Sequence, residues 1–230
     1  MTRRSHLPDS ASKAAAVRRM FDDIAPRYDL VNRIMTFGLD VGWRRRAVRS
    51  LGLPRDSVVV DVACGTGDFC REAQRAGFVA FGIDFSFGML AAAKTTAPLI
   101  QADALHLPVS TGSCDGITCG FALRNVSDIG ALFAEFARVV RPGGAIAVLE
   151  VAEPESRPLR AGHRIYFHKV VPLVGGLISD RDAYSYLPES TVYLPSRTGL
   201  VELVSAAGFL DVRSDLVGMG AAQIITGTRA

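Results

Sequence analysis

The chain has 230 residues, with 49% apolar and 21% charged side chains and a formal net charge of +3. That balance belongs to an ordinary globular protein and excludes a disordered chain, a collagen and a disulfide scaffold. No apolar run reaches the roughly 18 residues that span a bilayer, and residues 1–13 lack the apolar core of a signal peptide, so a soluble, cytoplasmic protein is expected.

The length suits one domain covering 1–230. Residues 1–55 form its N-terminal helices. Residues 17–35 read as one or two helices: Val17, Met20, Phe21 and Ile24 recur at helical spacing, and Pro26 breaks or restarts the stretch. A further helix covers 41–51 and stops at Gly52 and Pro54. This portion holds eleven Arg, one Lys and five Asp, a local surplus of +7, whereas the other 175 residues sum to −4. Such a surplus attracts anionic membranes or nucleic acids. The preferred reading is nevertheless the solvated face of basic helices.

The pattern changes at Ser57. Residues 58–63 are a short valine-rich run, apolar on both faces, which suits a buried parallel strand. A helix to about Ala76 follows, then a strand at 78–84, a helix at 87–94 and short strands at 99–102 and 116–121. A helix at 129–140 and a strand at 145–151 complete the run. Short connections between alternating strands and helices predict an α/β fold, an open, mostly parallel sheet wound on both sides with right-handed crossovers, over 56–153. Residues 154–195 break this rhythm with five prolines, two histidines and four tyrosines, and read as a lid insertion over the carboxyl edge of the sheet. The segment 196–230 supplies a helix at 199–206 and a strand pair at 209–216 and 223–227.

The cysteines at 64, 70, 114 and 119 lack the paired spacing of a zinc site and have no neighbouring histidines. They read as reduced thiols used as small apolar side chains, and no metal is expected.

Ligands of such sheets bind beyond the carboxyl ends of the strands. After the first strand comes Asp61-Val62-Ala63-Cys64-Gly65-Thr66-Gly67-Asp68, whose glycines permit a sharp turn and close ligand approach. It is a poor dinucleotide fingerprint, because Ala63 stands first and a third glycine is missing. Asp61 and Asp68 would repel a pyrophosphate, which favours a positively charged ligand. Asp84, 23 residues beyond Asp61, is placed to accept both hydroxyls of a ribose. Asp103 and the Ala104 amide could take an adenine edge as acceptor and donor, and His106 reads as a loop residue. Gly120, a small residue before the aromatic Phe121, can floor a ligand slot.

These segments together resemble the class I S-adenosylmethionine (SAM) methyltransferases and, within them, the ubiquinone/menaquinone biosynthesis C-methyltransferases. The resemblance covers roughly 17–230. It rests on Met20-Phe21-Asp22 and Tyr28-Asp29-Leu30-Val31-Asn32, on the loop 61–69, on Phe121-Ala122-Leu123-Arg124-Asn125-Val126, on Arg138 through Gly144 to Glu150, and on Tyr184-Ser185-Tyr186-Leu187. The loop is shared by many methyltransferases; the Leu-Arg-Asn and Tyr-Ser-Tyr-Leu segments are specific to the family. The resemblance implies a Rossmann-like fold and methyl transfer from SAM to a ring carbon of a prenylated quinol, with demethylmenaquinol the expected acceptor. It implies cofactor contacts from Ala63, Gly65, Thr66, Gly67, Asp84, Phe85, Asp103, Ala104 and Gly120. Arg124 and Asn125 become the expected catalytic residues, and Tyr28, Asn32, Tyr184 and Tyr186 the expected substrate contacts.

Each role has a plainer counterpart. Arg124 would stabilise a phenolate electrostatically, or form a structural ion pair with a neighbouring acid. The tyrosines would line a ring slot, or pack with a bonded hydroxyl. His163 and His168 would serve as base, or sit as polar positions on a lid helix, the preferred reading. The sequence departs from its relatives at Gly120, where serine is common, and at Asp40, where histidine is often found. The stretch 218–223 also lacks a histidine that many of them carry. A long-tailed acceptor would give the basic N-terminal helices a purpose at an anionic membrane, and a homodimer stays open. Competing readings are a SAM enzyme for another aromatic or small acceptor, a nicotinamide dehydrogenase and a nucleic-acid-binding domain. The missing glycine argues against the second, and the absence of aromatics interleaved with the arginines against the third.

Overall fold

The computed structural model describes residues 10–171, 173, 176 and 190–230. Seven strands form one sheet in the order β3-β2-β1-β4-β5-β7-β6. The parallel members are β1 (Val58–Val62), β2 (Val79–Asp84), β3 (Leu99–Gln101), β4 (Cys114–Gly120) and β5 (Val140–Val151). At the far edge β7 (Ala222–Arg229) runs against both β5 and β6 (Phe209–Val217).

Two-sided burial explains the valine run of β1. Val60 and Val62 enter one core layer with Ile117, Phe133, Phe136 and Ile146. Val59 enters the other with Phe69, Ala73, Ala147 and Leu149. Each such side chain contributes roughly 1.5–3 kcal/mol on burial. The first layer is closed by α5 (Ile129–Val139) and α7 (Arg197–Ala206), the second by α2 (Leu39–Ser50) and α3 (Asp68–Ala76). Winding reverses between β1 and β4, which opens a crevice above their carboxyl ends.

Three expectations are corrected. First, α1 (Ser10–Met35) is one helix that runs through Pro26. A proline removes one backbone bond of a helix, but Ile24, Ala25 and Val31 on either side are buried against Met89 and hold the axis continuous. Second, α4 ends early (Phe87–Ala91). Third, Arg141-Pro142-Gly143-Gly144 belongs to β5: pairing with β4 shifts register between Cys114 and Gly116 and resumes at Ala145. Within the insertion, α6 (Arg157–Ile165) continues into a wider π-helical turn, Tyr166–Val170. Tyr184 and Tyr186 lie outside the described residues.

Candidate active site

Two cavities meet above the switch point. The first, a cleft with about 950 Å³ of space open to solvent, lies at the ends of β1, β2 and β4. Ala63, Gly65, Asp84, Phe85, Asp103, Ala104, Gly120 and Asn125 line it. The second, about 1390 Å³, is bounded by Asn32, Trp43, Arg124, Pro158, His163 and Tyr166. Tyr28 and Phe121 line both, so they stand at the junction.

In the cleft, Asp84 accepts the Gly65 amide at 2.7 Å on one oxygen and the Ser86 amide at 2.8 Å on the other. Burial pushes its carboxyl up, opposed by these amides. Each oxygen keeps capacity to accept a further hydrogen bond, and the residue lines the cleft. Ala63 takes a left-handed conformation, φ +56, which turns the chain where a dinucleotide fingerprint has glycine. A Cβ at Gly120 would meet the Phe69 ring at 2.7 Å, so that ring fills the volume behind the floor.

Two expected cofactor residues do not line the cleft. Thr66 donates its hydroxyl to Asp29 of α1, whose other oxygen takes Lys94 at 3.1 Å. Gly67 caps α3 in a left-handed turn, φ +83, against Thr95. Both shape the loop from behind.

Asp61 and Asp68 also turn away, which corrects their reading as ligand-facing charges. Asp68 is bonded by Arg33, Arg44 and Arg71. Asp61, 2% exposed, accepts the Thr118 hydroxyl at 2.9 Å and the Cys70 thiol, and burial pushes its carboxyl up to about 8. The acids that face the cleft are Asp84 and Asp103. Asp40, fully buried, is the counter-ion of Arg33 and Arg44 and also takes the Thr36 hydroxyl. Part of the N-terminal basic surplus is thus held inside the molecule, while Arg45 meets Glu72 and Arg46 meets Asp215 at the surface.

The sequence reading missed α1 as a strap over the cleft. Val17, Arg18 and Phe21 line it, with Arg18 5.2 Å above the Phe85 ring. Asp22 ties the strap down by accepting the Ser86 hydroxyl at 2.6 Å and the Gly88 amide at 2.8 Å. The Met-Phe-Asp motif was the only signal for it.

Arg124 and Asn125 sit on a 3₁₀ turn, Leu123–Asn125, and face different cavities. Arg124, 5% exposed, pairs with Glu150, which is fully buried and accepts the Leu123 and Val151 amides at 2.9 Å each. The Arg124 Nε and the Asn125 Oδ1 are buried and have no hydrogen-bond partner among the described residues. The plainer ion-pair reading is therefore present in the structure, and the Nε donor takes no part in it. Tyr28 carries a hydroxyl whose pKa is raised by burial, against a hydrogen bond with Asn32. His106 is exposed beside Asp103, away from the junction.

Solved structures share this architecture. A SAM-dependent methyltransferase of Thermotoga maritima superposes with a TM-score of 0.66 at 20% identity, over 93% of this chain and 100% of that one. The fold is that of the class I SAM-dependent methyltransferases. The model of the ubiE/COQ5 methyltransferase family matches residues 9–229. A demethylmenaquinone methyltransferase of Roseiflexus castenholzii is 44% identical, over 97% of each chain. A ubiquinone/menaquinone biosynthesis C-methyltransferase UbiE of Geobacter sulfurreducens is 37% identical, over 94% of this chain and 90% of its own. The chain belongs to the ubiE/COQ5 methyltransferase family and is a SAM-dependent methyltransferase. The cleft fits that cofactor chemically. It offers a carboxylate for hydroxyls, apolar walls for a flat ring and an orphaned buried amide oxygen that seeks a donor.

Proposed function

We propose that the acceptor is demethylmenaquinol, methylated at a ring carbon. The observation that carries this is the second cavity, lined by aromatic and aliphatic side chains and joined to the cleft at Tyr28 and Phe121, with the Arg124 guanidinium as its buried cation. A flat, apolar, two-oxygen ring suits such a slot.

Asp84 would hold the ribose hydroxyls of SAM, with Asp103 and Ala104 at the adenine and Ala63, Gly65, Phe85 and Gly120 as walls. SAM, when bound, supplies an electrophilic methyl on a sulfonium. The protein has to align the acceptor, exclude water and raise the electron density of the ring. Loss of a proton from a ring hydroxyl makes the adjacent carbon nucleophilic. Arg124, which lines the acceptor cavity, stabilises by its charge the phenolate that results. Tyr28, its hydroxyl held protonated by burial and steered by Asn32, donates to a ring oxygen. Asn125 lines the cleft, where its Oδ1 would accept from a donor of the cofactor. His163 borders the acceptor cavity and is the base within reach of it. The isoprenoid tail of the acceptor implies peripheral contact with a membrane.

The test is transfer of labelled methyl from SAM to reduced demethylmenaquinone in detergent, with the oxidised quinone as control. Label in the quinol only under reduction is the expected result. Bound SAM without label transfer would refute the acceptor while leaving the family intact.

A further inference from the structure

We propose that the mouth of the acceptor cavity, together with α6, seats on an anionic lipid bilayer, so that the tail of the acceptor stays in the membrane while its ring enters. This rests on the tailed-quinol reading above and names the face that meets the membrane. Four side chains line the cavity and are also exposed to solvent: Phe37 at 78%, Met219 at 77%, Leu39 at 50% and Leu159 at 45%. Ile165, at 59%, is a further exposed apolar side chain on α6. The lip is assembled from three places in the chain. Phe37 lies in the α1–α2 turn with its ring 5.8 Å from Tyr166, whose hydroxyl donates to the Met35 carbonyl at 2.8 Å. Met219 lies in the β6–β7 turn.

Backbone conformation gives a second observation. Phe37 and Met219 are left-handed, at φ +53 and +57, a region that bulky side chains avoid. Each holds a large apolar group mostly out in water at that cost. Such strain persists where it serves a function.

Charge selects the partner. Residues 156–179 contain Arg157, Arg160, Arg164 and Lys169 and no carboxylate. None of the residues of α6 is buried, so the helix lies on the surface with basic and apolar side chains mixed. The nearest preceding acid, Glu155, is paired with Arg197 at 2.8 Å. Apolar side chains flanked by arginines on a surface helix suit the interface of an anionic bilayer. Of the N-terminal arginines, Arg33 and Arg44 are held by the buried Asp40 of the same chain and do not contribute.

The experiment is sedimentation of the full chain with phosphatidylcholine vesicles, with and without about one-third phosphatidylglycerol, at low and high salt. The wild type should partition onto the anionic vesicles and release as salt rises. Phe37→Asn/Met219→Asn, with asparagine chosen because it tolerates the left-handed conformation, should lower the partition at least tenfold. Arg157→Gln/Arg164→Gln/Ile165→Ser should lower it similarly and abolish its salt dependence, yet methylate a short-tailed quinol in solution at the wild-type rate. Melting curves check that both variants are folded. Binding that ignores lipid charge, or that survives both sets of substitutions, overturns the proposal. So does a wild type that leaves vesicles alone but forms a dimer which the Phe37 and Met219 substitutions dissociate. A failed acceptor reading would instead show as vesicle binding without methylation of any quinol, so the two failures are distinguishable.

Discussion

Arg124→Met separates the two roles of the buried pair. Arg124 is 5% exposed and Glu150 is fully buried. Removing the cation leaves Glu150 with only the two amide donors of Leu123 and Val151. A buried charge stripped of its partner costs about 3–5 kcal/mol. At about 2–4 °C per kcal/mol for a chain of this length, melting should fall by roughly 6–20 °C. Adding Glu150→Gln removes the orphaned charge, and its carbonyl still accepts one of the two amides. The double variant should therefore regain at least about half of the lost stability, the remainder being the unmet second amide, about 1–3 kcal/mol. Activity should behave differently. If Arg124 stabilises the phenolate, single and double variants alike lose at least about tenfold in kcat/KM, or 1.4 kcal/mol. Calorimetry and labelled methyl transfer, run below the lowest melting temperature, read the two quantities on the same samples. A double variant that recovers activity together with stability would refute the catalytic role and leave Arg124 as a structural cation.

Three further outcomes follow from the cleft. Gly120→Ser should destabilise the protein by about 1–3 kcal/mol through overpacking against Phe69, and Phe69→Leu in the same chain should relieve it; thermal melts of the two variants decide the point. Asp22→Ala should unlatch α1 from Ser86 and Gly88 and weaken binding of the product S-adenosylhomocysteine about tenfold, or roughly 1.4 kcal/mol, and unchanged calorimetric affinity would show that the strap does not close the site. Asp61, pushed up to about 8, favours its protonated form in the folded state. Its contribution is complete below its unfolded pKa, near 4, and is lost as pH rises through about 8, at about 1.4 kcal/mol per pH unit. The stability difference between wild type and Asp61→Asn, from denaturant melts between pH 5 and 8.5, should follow that slope; a flat difference would mean that Asp61 is ionised when folded.

The sheet was legible in the sequence because its cause is local. The four valines of Val58–Val62 supply apolar side chains to both faces, and a central parallel strand buries both. Asp84, Asp103 and Gly120 were legible for the same reason, since the end of each strand fixes where the next residue points. What failed was non-local. Asp61 looked like a ligand-facing charge because nothing adjacent neutralises it, and Asp68 looked like one although Arg71 stands one turn on. Their environment comes from elsewhere: Arg33 and Arg44 reach Asp68 from α1 and α2, and Thr118 reaches Asp61 from β4. The strap was hidden likewise. An aspartate at position 22 on an amphipathic helix reads as a solvated side chain, and only folding brings the Ser86 hydroxyl to it. Pro26 was read by its intrinsic preference, which the burial of Ile24, Ala25 and Val31 overrides.

The left-handed residues bring these strands together. Among the described residues six non-glycines have positive φ: Phe37, Asp56, Ala63, Phe121, Asp211 and Met219. Aspartate tolerates this conformation, and Asp56 and Asp211 line neither cavity. The other four are apolar, and every one of them lines the cleft or the acceptor cavity. Ala63 and Phe121 follow the neighbouring strands β1 and β4, where the two cavities meet; Phe37 and Met219 hold the outer lip. Strain of order 1–3 kcal/mol per residue persists only where the surroundings impose it. Here it is imposed at both ends of a single path, from the lip past Tyr28 and Phe121 to the cleft. A fold selected for stability alone would place glycine at these four positions. All four side chains line that path: Ala63 and Phe121 where the cavities meet, Phe37 and Met219 at the outer lip.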